Sequence, residues 1–178
     1  MTPDQLKSLV RTIPDFPVAG IQFRDITTLI GHGEGFAATV GWLAENVRHS
    51  GAEAIAGMEA RGFIFGASVA AKLGLPFLPI RKPGKLPCET IGVDYALEYG
   101  ANRLEMDPAS VSRDQKVAIV DDLLATGGTA CATVELLRQA GADVADAFFV
   151  IDLPDLGGAE RLHKDGISVA ALMQFEGD

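Results

Sequence analysis

Three observations predict an α/β fold with a mainly parallel sheet flanked by helices. Apolar strand patterns alternate with helical ones from residue 54 to residue 151, the strand patterns are short apolar runs, and glycines or prolines punctuate the joints. A Rossmann-like sheet of this kind carries its ligands at the carboxyl ends of the strands. At 178 residues the chain suits one domain, 1–178, with one sizeable core.

The elements follow in order. Residues 16–29 fit no strand-helix-strand unit and form a separate cap, a small N-terminal hood spanning about 14–30. The run Gly31-His32-Gly33-Glu34-Gly35 lacks the spacing of a dinucleotide loop and no strand precedes it, so it reads as a flexible turn. Phe36, Val40, Leu43 and Val47 recur at helical spacing within 34–50, and Gly51 can end that helix. A strand at 54–56, a turn at 57–62, a helix of small residues at 63–73 and a strand at 77–81 make a βαβ unit.

Two prolines and a glycine keep Lys82-Pro83-Gly84-Lys85-Leu86-Pro87 out of regular structure. Val93, Tyr95 and Leu97 then alternate with polar or small neighbours, as in an antiparallel hairpin returning through Gly100-Ala101-Asn102 towards Leu104 and Met106. The stretch 82–106 is therefore a flexible flap hairpin. A strand at 116–120, a helix at 129–140 with Ala130, Val134 and Leu137 on one face, and a strand at 144–151 complete the reading.

Composition excludes more than it identifies. Fifteen Lys and Arg against 24 Asp and Glu leave a net charge of −9, which opposes nucleic acid and anionic membranes. Any anionic ligand needs a local basic cluster. No run approaches the roughly 18 apolar residues of a membrane span, and Asp4, Lys7, Arg11 and Asp15 stand where a signal peptide would be apolar, so a cytoplasmic location is expected. Cys88 and Cys131 form no Cys-x-x-Cys pair and read as small packed thiols. His32, His49 and His163 show no metal-ligand spacing.

The strongest motif is the strand at 117–120 followed by Asp121-Asp122-Leu123-Leu124-Ala125-Thr126-Gly127-Gly128-Thr129. Thr126, Gly127, Gly128 and Thr129 offer unpaired N–H groups and hydroxyls at a helix N-terminus, which attract a phosphate. Two acids would repel that phosphate, but ionised carboxylates accept hydrogen bonds from the vicinal hydroxyls of a ribose. A phosphate beside a diol means a ribose 5-phosphate.

With this motif the chain resembles the phosphoribosyltransferases whose donor is 5-phosphoribosyl 1-pyrophosphate, most closely those that act on adenine, over nearly its whole length. Four stretches carry the likeness: 16–27, from Phe16-Pro17-Val18 to Asp25-Ile26-Thr27; Gly57-Met58-Glu59-Ala60-Arg61-Gly62-Phe63; Arg81-Lys82-Pro83-Gly84-Lys85-Leu86-Pro87 with Leu97-Glu98-Tyr99-Gly100; and the donor motif. Ala19 departs from the proline usual before that glycine.

The resemblance implies the site. Asp121, Asp122, Ala125 and Thr126 to Thr129 would bind the phosphoribosyl group; Glu59, Ala60, Arg61, Arg81 and Lys85 the pyrophosphate; Phe23, Arg24 and Leu123 the adenine. The peptide between Glu59 and Ala60 is expected to be cis. Arg61, Lys85 and Glu98 would be catalytic, and Tyr99 sits beside Glu98 at the far end of the flap. On pattern alone Glu98 fits a solvent-facing strand position equally well, and Phe23 fits plain core. Magnesium would arrive with the pyrophosphate, no protein metal cage being visible, and the family implies a homodimer. Relatives acting on 6-oxopurines carry an aspartate where this chain has Ala125, which favours adenine over hypoxanthine, guanine or xanthine. A nonenzymatic regulator sensing the same sugar is the rival from another class; it would need a nucleic-acid-binding surface, which a charge of −9 does not offer.

Overall fold

The computed structural model describes residues 1–96 and 101–177. Its centre is a five-stranded sheet in the order β4-β3-β7-β8-β9, every neighbouring pair parallel. The strands are β3 (Ala54–Met58), β4 (Phe77–Ile80), β7 (Lys116–Leu124), β8 (Asp143–Asp152) and β9 (Ser168–Gln174). β3 is buried at every position, and β7 and β8 nearly so, because helices cover both faces.

One face receives α3 (Gly33–Ser50) and α4 (Arg61–Leu73), packing Leu43, Val47, Phe65 and Val69 against Ile55 and Val120. The other receives α5 (Gly128–Gln139) and α6 (Gly158–Lys164), with Leu136, Leu137 and Leu162 against Ile119 and Phe149. An antiparallel pair, β5 (Ile91–Ala96) and β6 (Ala101–Met106), joins that second core through Val93, Leu104 and Met106. The predicted flap hairpin thus has its expected pairing, and its inner side is part of the core.

Before the sheet come α1 (Pro3–Ser8), the antiparallel strands β1 (Arg11–Pro14) and β2 (Gln22–Asp25), and α2 (Thr27–Ile30). The two strands form their own sheet, the predicted hood, which starts at Arg11 rather than near 14. Asp25 fastens its base. One carboxylate oxygen accepts from the backbone N–H of Thr27 at 2.9 Å and its hydroxyl at 2.6 Å, the other from Arg11. These bonds hold its pKa at about 2.

Three readings need correction. The run 31–35 is no flexible turn: His32 caps α3 by accepting the N–H of Gly35 at its Nδ1, 3.0 Å away, and Gly33 already belongs to the helix. A Cβ on Gly35 would strike Leu9 and Leu29, so the glycine serves close packing of the helix start. The strand at 116–120 continues to Leu124, with both acids inside the ladder opposite β8, because backbone pairing does not stop where apolar side chains stop. Cys131 is half-buried as expected, but Cys88 is exposed on the proline-bound loop that cannot pack.

The large side chain most enclosed by the first face is Phe65, fully buried and edge-on to Phe36 at a centroid distance of 5.8 Å. Phe65→Ala is expected to lower unfolding stability by about 3 to 5 kcal/mol. Denaturant titration with an unchanged m-value would measure it.

Candidate active site

β3 connects through α4 to β4 on one side of it, whereas β7 leads through α5 and β8 towards β9 on the other. The order therefore reverses between β3 and β7. At such a switch point the two following loops splay apart and leave a crevice. The protein has a cleft of about 370 Å³ there, bounded by Glu59, Ala60 and Arg61 after β3 and by the segment 121–129 after the core of β7.

Asp121 and Asp122 are both buried, at 9% and 5% exposure. Oδ1 of Asp121 accepts the N–H of Asp122 at 2.9 Å and lies against Gly62, where any Cβ would collide with it. Burial, followed by the charge of Asp122, pushes the Asp121 carboxyl well above the usual carboxylate range. Asp122 is also raised by burial, with Arg61 pulling the other way. Arg61 opens α4, and its Nε stands 2.7 Å from Oδ2 of Asp122. That contact is an ion pair without hydrogen-bond alignment, so Oδ2 is a buried acceptor still lacking a donor.

The loop after β7 turns at Gly127, whose φ of 78° is left-handed, and enters α5 with no side-chain cap. The N–H groups of the first turn of α5 are left without helical partners, and the dipole adds positive potential. Gly127 and Ala125 meet Gly158 backbone to backbone: a Cβ on Gly158 would collide with the Ala125 carbonyl. Thr129 donates from its hydroxyl to that of Tyr95 at 3.3 Å, tying the hairpin to the loop.

On the opposite wall the Glu59–Ala60 peptide is cis, as the resemblance implied, and Phe16–Pro17 is a second cis bond. Arg81 joins this wall by donating from Nε to Glu59 at 2.6 Å. Lys85 is exposed on the adjoining loop. Leu123 is half-buried and lines the cleft. Phe23 is not in the lining, but its ring faces the Arg61 guanidinium at 5.8 Å and Phe16 edge-on at 5.1 Å. The Arg24 side chain turns elsewhere, donating to the Thr12 hydroxyl at 2.7 Å and the Glu176 carbonyl at 2.9 Å. Glu98 and Tyr99 lie outside the described residues. Sequence reasoning placed Gly62 in the pyrophosphate loop but missed Gly158 and the Tyr95 contact; the adjacent Gly157-Gly158 pair was the one signal available for the former.

The buried acid pair has a stability consequence. Raising the folded-state pKa of Asp121 above its ordinary 3.8 means that the folded protein holds this proton more tightly than the unfolded chain. Stability therefore falls as pH rises through the folded pKa. Asp121→Asn keeps an acceptor for the Asp122 N–H and removes the charge. The variant should melt above the parent at pH 7, with the gap closing towards about pH 4; a thermal unfolding series across that range would show it.

Comparison with known proteins accords with this geometry. The family described as "Phosphoribosyl transferase domain" matches residues 28–169. The chain is 70% identical over 177 residues to an adenine phosphoribosyltransferase of Erythrobacter litoralis, covering 99% of each. It superposes on the crystal structure of an adenine phosphoribosyltransferase from Thermoanaerobacter pseudethanolicus with a TM-score of 0.93 at 43% identity, covering 98% of this chain and 100% of that one. The Saccharomyces cerevisiae adenine phosphoribosyltransferase, complexed with adenine and an imino-altritol bisphosphate, gives a TM-score of 0.91 at 33% identity, covering 96% and 98%. A cleft at the switch point, with a buried acid pair and an uncapped helix start, thus sits in a chain that belongs to the adenine phosphoribosyltransferase family.

Proposed function

We infer that the chain transfers the 5-phosphoribosyl group from 5-phospho-α-D-ribose 1-diphosphate to adenine, giving AMP and diphosphate. The observation that carries this reading is the pairing, in one cleft, of buried carboxylate acceptors with an uncapped helix start. Ribose hydroxyls donate to Asp121 and Asp122, the misaligned Oδ2 of Asp122 receiving the donor it lacks. The 5-phosphate takes the N–H groups and hydroxyls from Thr126 to Thr129.

The diphosphate lies towards Glu59, Ala60 and Arg61, with Arg81 and Lys85 supplying further positive charge. Arg61 and Arg81 are held at the cleft by Asp122 and Glu59, so cations are in place before substrate arrives. As the C1′–O bond to diphosphate breaks, positive charge grows on the sugar, adenine N9 forms the new C1′–N bond, and the imidazole proton of adenine passes to the departing diphosphate or to water. Phe23 stacks on the base, backbone groups of Phe23 and Arg24 read its edge, and Leu123 closes the cleft below it. The yeast relative's complex with adenine supports adenine as the base; its placement on these residues rests on the resemblance. The roles of Glu98 on the base, and of Tyr99 beside it, rest on the resemblance alone.

Magnesium belongs to the proposal as a partner of the donor, neutralising the leaving diphosphate. The cleft acids Glu59 and Asp122 already hold arginines, and among the described residues no group of three or more His, Cys, Asp or Glu could hold a metal. Its ligands in this reading would be oxygens of the donor. Exposed Phe16, Val18, Ile21 and Ile64 support a homodimer. Among the described residues no helix is long and apolar enough to cross a membrane. A cytoplasmic site of action follows from a polyanionic donor that cannot cross a bilayer unaided.

Changing Asp121 and Asp122 together to Asn should weaken donor binding in calorimetry, each lost charge-assisted bond being worth about 1.5 to 3 kcal/mol. The base is a second test. Adenine offers an acceptor at N1 and a donor at the 6-amino group; hypoxanthine reverses both, and Ala125 offers no acid for the imidazole side. Hydrogen-bond reading of this kind discriminates by up to about 10⁴ to 10⁵. In competition kinetics, a kcat/KM for hypoxanthine or guanine within about tenfold of adenine, roughly 1.4 kcal/mol, would overturn the adenine assignment and leave the donor site standing.

A further inference from the structure

The hood meets the segment after β9 through Arg24, in a contact to which none of the donor-binding groups contributes. We infer that the segment after β9 is a positioning element for adenine, acting through the ring of Phe175 on the hood strand that carries Phe23; this rests on the reading of the hood as the base site.

The segment is firmly seated. Phe175 donates its N–H to the Asp152 carbonyl at 3.1 Å, Gln174 donates to the Asp152 carboxylate at 3.2 Å, and the Gly177 N–H reaches Asp155 at 2.8 Å. Its ring is 9% exposed and belongs to the same core cluster as Leu6 and Ile26, which flank the hood. Two cations face it: Lys7 Nζ at 4.7 Å and the Arg24 guanidinium carbon at 4.8 Å from the centroid.

Arg24 is thereby held from three directions. Thr12 takes one terminal nitrogen, the Glu176 carbonyl takes the other, and Nε is buried with no hydrogen-bond partner, so the aromatic face is what meets the middle of the guanidinium. Residues adjacent on a strand point to opposite faces. Arg24 pinned on one face fixes where β2 presents Phe23 and the backbone between them on the other. The anchor of the segment, Asp152, pairs in register with Leu124, and the Leu153 N–H donates to the Leu124 carbonyl at 3.0 Å. Leu124 is the last residue of β7, immediately before the loop at 125–127. The segment therefore references the hood to the strand end from which the sugar is held, setting the separation of base and sugar.

The test compares Phe175→Leu, which keeps apolar bulk and loses the aromatic face, with Phe175→Tyr, which keeps both. Phe175→Leu is expected to raise KM for adenine about tenfold, leaving kcat and the KM for phosphoribosyl diphosphate within about twofold. It should also speed amide hydrogen exchange over residues 11–25 in the ligand-free protein. Phe175→Tyr should restore both. A parallel rise of both KM values, or unaltered exchange across the hood, would overturn the inference, since a merely structural role would move both substrates or neither. Failure of the parent to turn over adenine would strike the functional reading instead, and the exchange data would still decide whether Phe175 holds the hood.

Discussion

Two buried carboxyl groups next to one another, answered by one arginine, are the constraint around which the cleft is built. Taking like charges out of water raises both pKa values, and the surroundings must supply what solvent would have given. The compensation is visible atom by atom: the N–H of Asp122 on Asp121, the guanidinium of Arg61 beside Asp122, and the absence of a side chain at Gly62 that would otherwise displace the carboxyl. It is incomplete. An acceptor left short of donors is costly to the free protein and favourable to a ligand that brings hydroxyls, which is why a site of this kind sits in tension with stability.

The rest of the cleft depends on where β7 ends. Because the ladder with β8 continues through Leu124, the acids are held by sheet geometry rather than by a loop. The chain then has only a few residues in which to turn and start α5. That turn is possible because Gly127 adopts a left-handed conformation and Gly158 lets the loop rest directly on the start of α6. A helix that was not anticipated, following an unremarked glycine pair, thus supports the loop that carries the strongest motif.

What was legible in the sequence was local and periodic. The helices 34–50 and 63–73, the strands around 54–56, 77–81, 116–120 and 144–151, and the donor motif all announce themselves through spacing or run length, and their elements lie within a few residues of the prediction. Less legible were features whose cause lies elsewhere in the fold. The N-cap at His32 is an imidazole in a role more often filled by serine or aspartate, so the glycines around it looked like a turn. Helix α6 is a short helix of seven residues, and β9 is an edge strand with one neighbour, β8, in the sheet. The wall made by Arg81 and Glu59 joins residues 22 apart, which the resemblance grouped but whose ion pair no local pattern shows.

The contact between Arg24 and the Glu176 carbonyl joins partners 152 residues apart and so closes almost the whole chain into a loop. The entropy lost on closing a loop grows, slowly, with its length, so this contact carries a larger closure cost than any local one. By contrast, β7, α5 and β8 follow one another directly, and their contacts close short loops. The wall that carries the donor motif is thus built from neighbours along the chain, while the seat of the hood depends on contacts between its two ends.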